Sequence, residues 1–485
     1  MLLSQQTTAE GYDLRKSENS KRRDLQGLRG IAILFVLVMH LRPNFYRLGF
    51  VGVDIFFVLS GYLMARILLR KNFTMDSVFV FYCRRFKRIV PLYMVTVLSI
   101  YMYGYFYIFR IDRKQIFDDL VWACAYTSNL QPIFQKVGYW DQLSAYRFFM
   151  HTWSLGVELQ YYLIVPLLMG IASCCKHKIR LVFFLSLVAS SAFFQLCSPP
   201  NISYGFLLSR IWQFMCGSIA YEFSRQDSPD AVHEYKLLLD QDCGEQKTRA
   251  VDRASETNLR IKSLVTYIWL VALVVAVLIS PKRISDDTAR VCATFMAGII
   301  IYLNANVFCL TNNYLVYCGD ISYVLYLVHW PIIVAVRYCW DSQTLSVTGV
   351  LIVVFVSFTI SVAAHHTLED YFMKKGVVPA LICVIACYVC ILGSKQIYLH
   401  APPLESINPN TSKIEYAIEW NIREFSRRID LPCGEDDTEG YAKFSGGSQW
   451  RCVAVSIAGA EYQGQNGQKG GEGQELSIHY LIMCQ

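Results

Sequence analysis

Residues 29–88 read RGIAILFVLVMHLRPNFYRLGFVGVDIFFVLSGYLMARILLRKNFTMDSVFVFYCRRFKR. Two apolar runs, at about 29–47 and 50–70, are each long enough to cross a bilayer, and a tight turn joins them. The first carries Arg29 near its start and His40 inside it. The second carries Asp54 near its start and the Ser60-Gly61 pair inside it. A basic cluster follows, Arg84, Arg85, Lys87 and Arg88, and then Pro91. An ionisable side chain in hydrocarbon is costly, so each of these residues is a candidate functional group. The rest of the chain reads as a membrane scaffold around this stretch.

Composition agrees. Of 485 residues, 54% are hydrophobic and 17% charged, against about 25% charged in soluble domains. Apolar runs of roughly 20 residues predict eleven spans: about 29–47, 50–70, 89–109, 153–172, 181–198, 205–223, 263–280, 291–310, 319–339, 345–365 and 377–397. The expected fold is an all-α polytopic membrane protein, a bundle of about 10–11 transmembrane helices with a small polar C-terminal region. Residues 120–134 are apolar but interrupted by Ser128, Asn129 and Pro132, and read as part of an external loop.

Loop charge orients the bundle. Residues 1–22 form a polar tail rather than a signal peptide, and Lys21, Arg22 and Arg23 before the first span retain it in the cytoplasm. Loops at 71–88, 173–180 and 366–376, and a polar linker at 224–262, are then cytoplasmic and rich in Lys and Arg. The 398–485 region falls outside, where the Asn201 and Asn410 sequons become accessible; a third, at Asn72, is on the cytoplasmic side. The net charge of +7 reads as topology, and no nucleic-acid module is present. The 17 cysteines lack metal-ligand spacing, and most behave as small apolar residues. Cys433 and Cys452, in the polar region, are candidates for a disulfide.

Arg29 and His40 lie eleven residues apart, about three helical turns and roughly 16 Å, on one helix face. This puts His40 near mid-membrane, where an imidazole can act as a general base or simply hydrogen-bond a neighbouring helix. Arg84, Arg85 and Arg88 read as inward-facing charge or as an anion site, since guanidinium forks suit phosphate. Asp54 is a candidate to pair with a cation or accept a substrate hydroxyl. Ser60-Gly61 is a packing notch or part of the site. His151 and Glu158, seven apart around the start of the fourth span, can share a helix face. His329 stands beside Trp330 and Pro331, and Pro331 frees backbone carbonyls as happens beside membrane cavities. Glu369 reads as a solvated helix end. No zinc signature, phosphate loop or nucleophile elbow is present.

Five segments in order carry a resemblance: Arg29-Gly30 through His40; Gly52 through Tyr62; Arg84 through Pro91; His151-Thr152-Trp153-Ser154-Leu155 to Glu158; and Ser322-Tyr323 through His329-Trp330-Pro331. Across about residues 23–395 the chain resembles the acyltransferase-3 family of membrane O-acyltransferases. The resemblance implies transfer of an acyl group, usually acetyl, from cytoplasmic acetyl-CoA or another acyl-CoA to a hydroxyl outside, on a carbohydrate or lipid. It implies no permanently bound cofactor and no metal. By it His40 is the base, Arg29 and Glu158 belong with it in the catalytic group, and Arg84, Arg85 and Arg88 hold coenzyme A. Asp54, Ser60, His151 and His329 are left to the substrate. Many members carry an SGNH-type hydrolase domain after the last span. Here residues 398–452 resemble its lead-in and 453–485 do not, so a truncated domain and a separate SGNH-domain partner are expected. The competing expectation is a non-enzymatic transporter or lipid-handling protein on the same scaffold.

Overall fold

The computed structural model describes residues 22–69, 73–108, 110–135, 146–226, 245–279, 284–340 and 344–400, with 110–112, 114, 226, 245–256 and 395–400 as backbone alone. Beyond them it describes the backbone of four short strands, Gly434–Asp436, Tyr441–Lys443, Trp450–Val453 and Ile482–Cys484, paired antiparallel in that order. The 1–21 tail, the Asn72 and Asn410 sequons, Cys433 and most of 398–485 lie outside the described residues.

The longer helices are α1 (Arg23–Leu41), α2 (Val51–Leu69), α3 (Met75–Tyr107), α4 (Arg110–Cys124), α5 (Thr152–Ser173), α6 (His177–Cys197), α7 (Ile211–Gln226), α8 (Glu245–Ile279), α9 (Asp286–Leu303), α10 (Asn313–Asp320), α11 (Ser322–Cys339), α12 (Val347–Ala364) and α13 (Val377–His400). Among the described residues, nine helical segments are long and apolar enough to cross a membrane; they involve α1, α2, α3, α5, α6, α8, α11, α12 and α13. The chain is thus an all-α, multi-pass membrane protein. The expected spans at 205–223 and 291–310 are helical as well. However, α7 has 16 residues, about 24 Å against a core of about 30 Å, and α9 carries Asp286, Asp287 and Arg290 near its start. Exposed Leu167, Phe193, Phe355 and Val389 form part of the outer surface, where lipid tails take the place of water.

Two sequence expectations change. The linker at 224–262 is not a loop throughout: α8 begins at Glu245 and runs without a break into the span. The patch at 120–134 is the end of α4 and a five-residue helix, Gln131–Gln135. Asp119 pins it, accepting hydrogen bonds from Gln115 at 2.8 Å, Gln131 at 2.6 Å and Arg147 at 3.1 Å. Burial pushes the Asp119 carboxyl above its usual range, opposed by the Arg147 guanidinium.

The N-terminal end of α1 is tied down by Arg22, which pairs with Asp24 at 2.5 Å and donates to the Tyr62 hydroxyl at 2.6 Å and the Ile301 carbonyl at 3.0 Å. α3 opens on a capping box between Thr74 and Ser77. α2 and α7 touch backbone to backbone: a Cβ on Gly61 would overlap the Phe214 carbonyl, and one on Gly217 the Val58 carbonyl. Small residues allow such an approach. Gly61→Ala is therefore expected to force the two helices apart at a cost of about 1–3 kcal/mol or more. A lowered thermal midpoint of the detergent-extracted protein, by fluorescence size exclusion, checks this; an unchanged midpoint contradicts it.

At the far end, α12 buries Gly349, Val353, Ser357 and Ser361, a stripe stepping by four. A π turn, His365–Glu369, then leads into a short helix, Asp370–Lys374. Glu369 is buried there, with His365 Nδ1 at 2.8 Å from its carboxylate, so it is not the solvated helix end expected from sequence. Lys87 of α3 donates to the Met373 and Lys375 carbonyls at 3.2 and 3.0 Å, fixing this end beside the basic cluster.

Candidate active site

α1 and α11 run side by side in the same direction. Arg29 and Ser322 line one cavity, while further along His40 meets His329. The rise is roughly 16 Å on α1 and 10 Å on α11. Two groups of polar residues result, one at each level.

At the lower level lies a cavity of about 70 Å³ that opens outward. Arg29 of α1, Arg85 and Arg88 of α3, and Glu158 of α5 all line it. Glu158 accepts hydrogen bonds from Ser60 and Tyr162 through one carboxylate oxygen. The Arg85 guanidinium lies over the Tyr162 ring, 5.3 Å from its centroid. Arg29 Nε is buried without a hydrogen-bond partner. Among the described residues none of the three arginines is in an ion pair, so the cavity presents three guanidinium groups and one carboxylate. Between them the wall is apolar, with Val53, Phe56, Phe57 and Leu63.

At the upper level, His40 Nδ1 is 3.0 Å from His329 Nε2, and His329 Nδ1 is 2.9 Å from the Leu325 carbonyl. These contacts assign the tautomers of the two neutral rings. The Leu325 carbonyl only accepts, so His329 carries its proton on Nδ1. His329 Nε2 then accepts from His40 Nδ1–H. The lone pair of His40 is left on Nε2, the form a general base needs. The Trp330 ring tilts against His40 with centroids 4.8 Å apart, and its Nε1 donates to the Arg147 carbonyl at 2.8 Å. His151 is buried with its ring 6.3 Å from that of His329.

The two levels do not share the cavity. Tyr326 stands between them: it lines the cavity, and its ring centroid is 5.6 Å from that of His329. Its hydroxyl donates to the His151 carbonyl at 2.9 Å and meets Ser154 Oγ at 2.5 Å.

Of the residues singled out in the sequence, Arg29, Arg85, Arg88, Glu158 and Ser60 come together in the cavity, and His40, His329 and His151 come together above it. His151 and Glu158 thus fall into different groups, because seven residues of helix set them roughly 10 Å apart along α5. Arg84 is exposed and is not part of the cavity wall. Asp54 lies apart as well. It is buried and accepts from Gln213 at 2.7 Å and Arg210 at 3.4 Å, an internal ion pair that holds α2 to the start of α7. Sequence reading missed Tyr162, Tyr326 and Arg210. Tyr162 follows Glu158 by one turn and Tyr326 precedes His329 by one turn, so helical spacing could have found both. Arg210 is 156 residues from Asp54, and nothing local marks it.

Comparison with known proteins fits this arrangement. The acyltransferase-3 family model, described as an acyltransferase domain, matches residues 22–366. A protein of Komagataeibacter xylinus named as a membrane-bound transacylase, BcsY, is 28% identical over 381 residues, 76% of this chain and 89% of its own length. The peptidoglycan O-acetyltransferase OatA of Listeria monocytogenes is 38% identical over 144 residues, 29% of this chain and 23% of its own. A protein named as a peptidoglycan O-acetyltransferase, YrhL, of Bacillus subtilis is 33% identical over 186 residues, 37% of this chain and 28% of its own. The chain thus spans only about a quarter of the length of the last two. No solved structure matches it. The expectation of a non-enzymatic transporter gives way to these matches: the chain belongs to the acyltransferase-3 family and is an O-acyltransferase embedded in the membrane.

Proposed function

We propose that the enzyme takes an acyl group, acetyl first, from acyl-CoA bound at the Arg29 end and passes it to a hydroxyl of a carbohydrate or lipid. The observation that carries this reading is the meeting of Arg29, Arg85 and Arg88 in one cavity with a single carboxylate. Such a surplus of guanidinium charge suits the phosphates of coenzyme A, and the apolar wall suits its acyl-bearing arm. Glu158, held by Ser60 and Tyr162, offsets part of the repulsion among the three cations. The names of the OatA and YrhL relatives support acetyl as the group and a glycan hydroxyl as the acceptor.

His40 Nε2 accepts the proton of the acceptor hydroxyl as its oxygen attacks the thioester carbonyl. The C–O bond forms, the C–S bond breaks, and the leaving thiolate takes the proton from His40. His329 holds the His40 ring in its tautomer throughout. The basic loops support a cytoplasmic Arg29 end and an external C-terminal region, in the plasma membrane or the endoplasmic reticulum. No metal or permanently bound cofactor enters the scheme.

Arg85→Ala tests the donor site. Losing one charge-assisted contact of about 1.5–3 kcal/mol raises the KM for acetyl-CoA by roughly ten- to 150-fold, with kcat little changed. Arg85→Lys recovers part of the loss, since it keeps the charge without the fork. A KM for acetyl-CoA that stays at the wild-type value in Arg85→Ala overturns the assignment.

A further inference from the structure

From the position of one side chain we infer that Tyr326 determines the size of the acyl group, acting as a latched barrier between the arginine cavity and the histidine pair. This rests on the acyl-CoA reading above. For a thioester carbonyl to come within reach of His40 from the arginine cavity, it must pass the level of Tyr326, one helical turn before His329 on α11. The ring is packed there, 5.6 Å from the His329 ring and 6.1 Å from that of His151.

The ring is also fastened. Its hydroxyl donates to the His151 carbonyl and meets Ser154 Oγ, both at the start of α5. Those two bonds hold the ring across the path, and swinging it aside breaks both. Leu155 and Phe57 line the same cavity as the ring, and Trp330 packs against His40 at the histidine level. The displaced ring still takes up room in the cavity, so the space it frees suits a two-carbon group. Each added methylene must displace packed side chains instead, and interiors at close-packed density resist that. The barrier therefore acts on the acyl group and leaves the coenzyme A end to the arginines.

The experiment is a competition between labelled acetyl-CoA and labelled butyryl-CoA, given to membranes that contain the full-length protein. It reads the ratio of butyryl to acetyl moved into any product other than coenzyme A. A ratio is independent of how much protein folds, so a merely structural role does not move it. Tyr326→Ala, which removes the ring, is expected to raise the ratio about tenfold or more, the discrimination a small apolar pocket achieves per methylene. Tyr326→Phe keeps the ring and removes the latch. It is expected to change the acetyl rate while keeping the wild-type ratio, and it serves if the alanine variant does not fold. An active Tyr326→Ala with an unchanged ratio, or a Tyr326→Phe whose ratio rises as far as expected for alanine, overturns the inference while the donor reading stands. A wild type that moves neither group overturns both.

Discussion

His40→Asn lowers acyl transfer by about a hundredfold to ten-thousandfold, the contribution of a positioned general base, with the protein still folded in the membrane. The choice of asparagine is dictated by the hydrogen bonds. His40 Nδ1 faces His329 Nε2 at 3.0 Å, and an asparagine amide nitrogen falls close to the Nδ1 position, so it can still donate to His329. What it lacks is the Nε2 lone pair. His40→Ala removes both and leaves the buried His329 Nε2 without its donor, an added cost of about 1–3 kcal/mol in stability. The two variants are thus expected to be equally inactive but unequally stable. Labelled acetyl moved per amount of protein, together with the thermal midpoint in detergent, separates the two effects. If His40→Asn transfers acetyl at the wild-type rate, His40 is a packing residue and the proton goes elsewhere.

The largest stability loss is expected at Arg210→Ala. Arg210 is fully buried; it donates to the Tyr204 carbonyl at 2.8 and 2.6 Å and pairs with Asp54 at 3.4 Å. Removing it leaves Asp54 as a buried carboxylate held by the Gln213 amide, with the Arg290 charge as its remaining cationic neighbour. Breaking a buried pair from one side costs about 3–5 kcal/mol. The double variant Asp54→Asn/Arg210→Gln restores much of the loss, because neither charge is then stranded and the two sites are coupled. Thermal midpoints of the four proteins form the cycle. An Asp54→Asn enzyme that keeps its midpoint and loses only substrate affinity returns Asp54 to the substrate and removes it from this ion pair.

Much of the fold was legible because hydrocarbon leaves few choices: a run of 20 apolar residues has to satisfy its own backbone, and only a helix does that within one segment. Hydropathy could not weigh α7 and α9 correctly. Both are partly wrapped by other helices, so the protein rather than lipid solvates them, and neither needs to be long or purely apolar. The same limit applies at the site. Arg29, His40, Arg85, Arg88, Glu158 and His329 stood out because charge in an apolar run is expensive and therefore conspicuous. Asp54 stood out for that reason too, yet its partner is an arginine in a different part of the chain, and pairing across 156 residues leaves no periodic trace. Tyr326 was overlooked for the opposite reason: among 31 tyrosines in a membrane protein one more aromatic ring is inconspicuous, and only its place one turn before His329 marks it.

The segment Val347–Lys374, 28 residues whose apolar part ends at Ala364, is in effect two rods joined at an offset. Its π turn at His365–Glu369 takes up one residue more than a regular turn would. Winding the same residues as a regular helix would instead swing everything that follows by about 100°. Glu369 would leave the sheltered side, and the Met373 and Lys375 carbonyls would swing out of reach of Lys87. The π turn therefore sets the angle at which the tail meets the basic helix, a constraint that bilayer thickness does not impose.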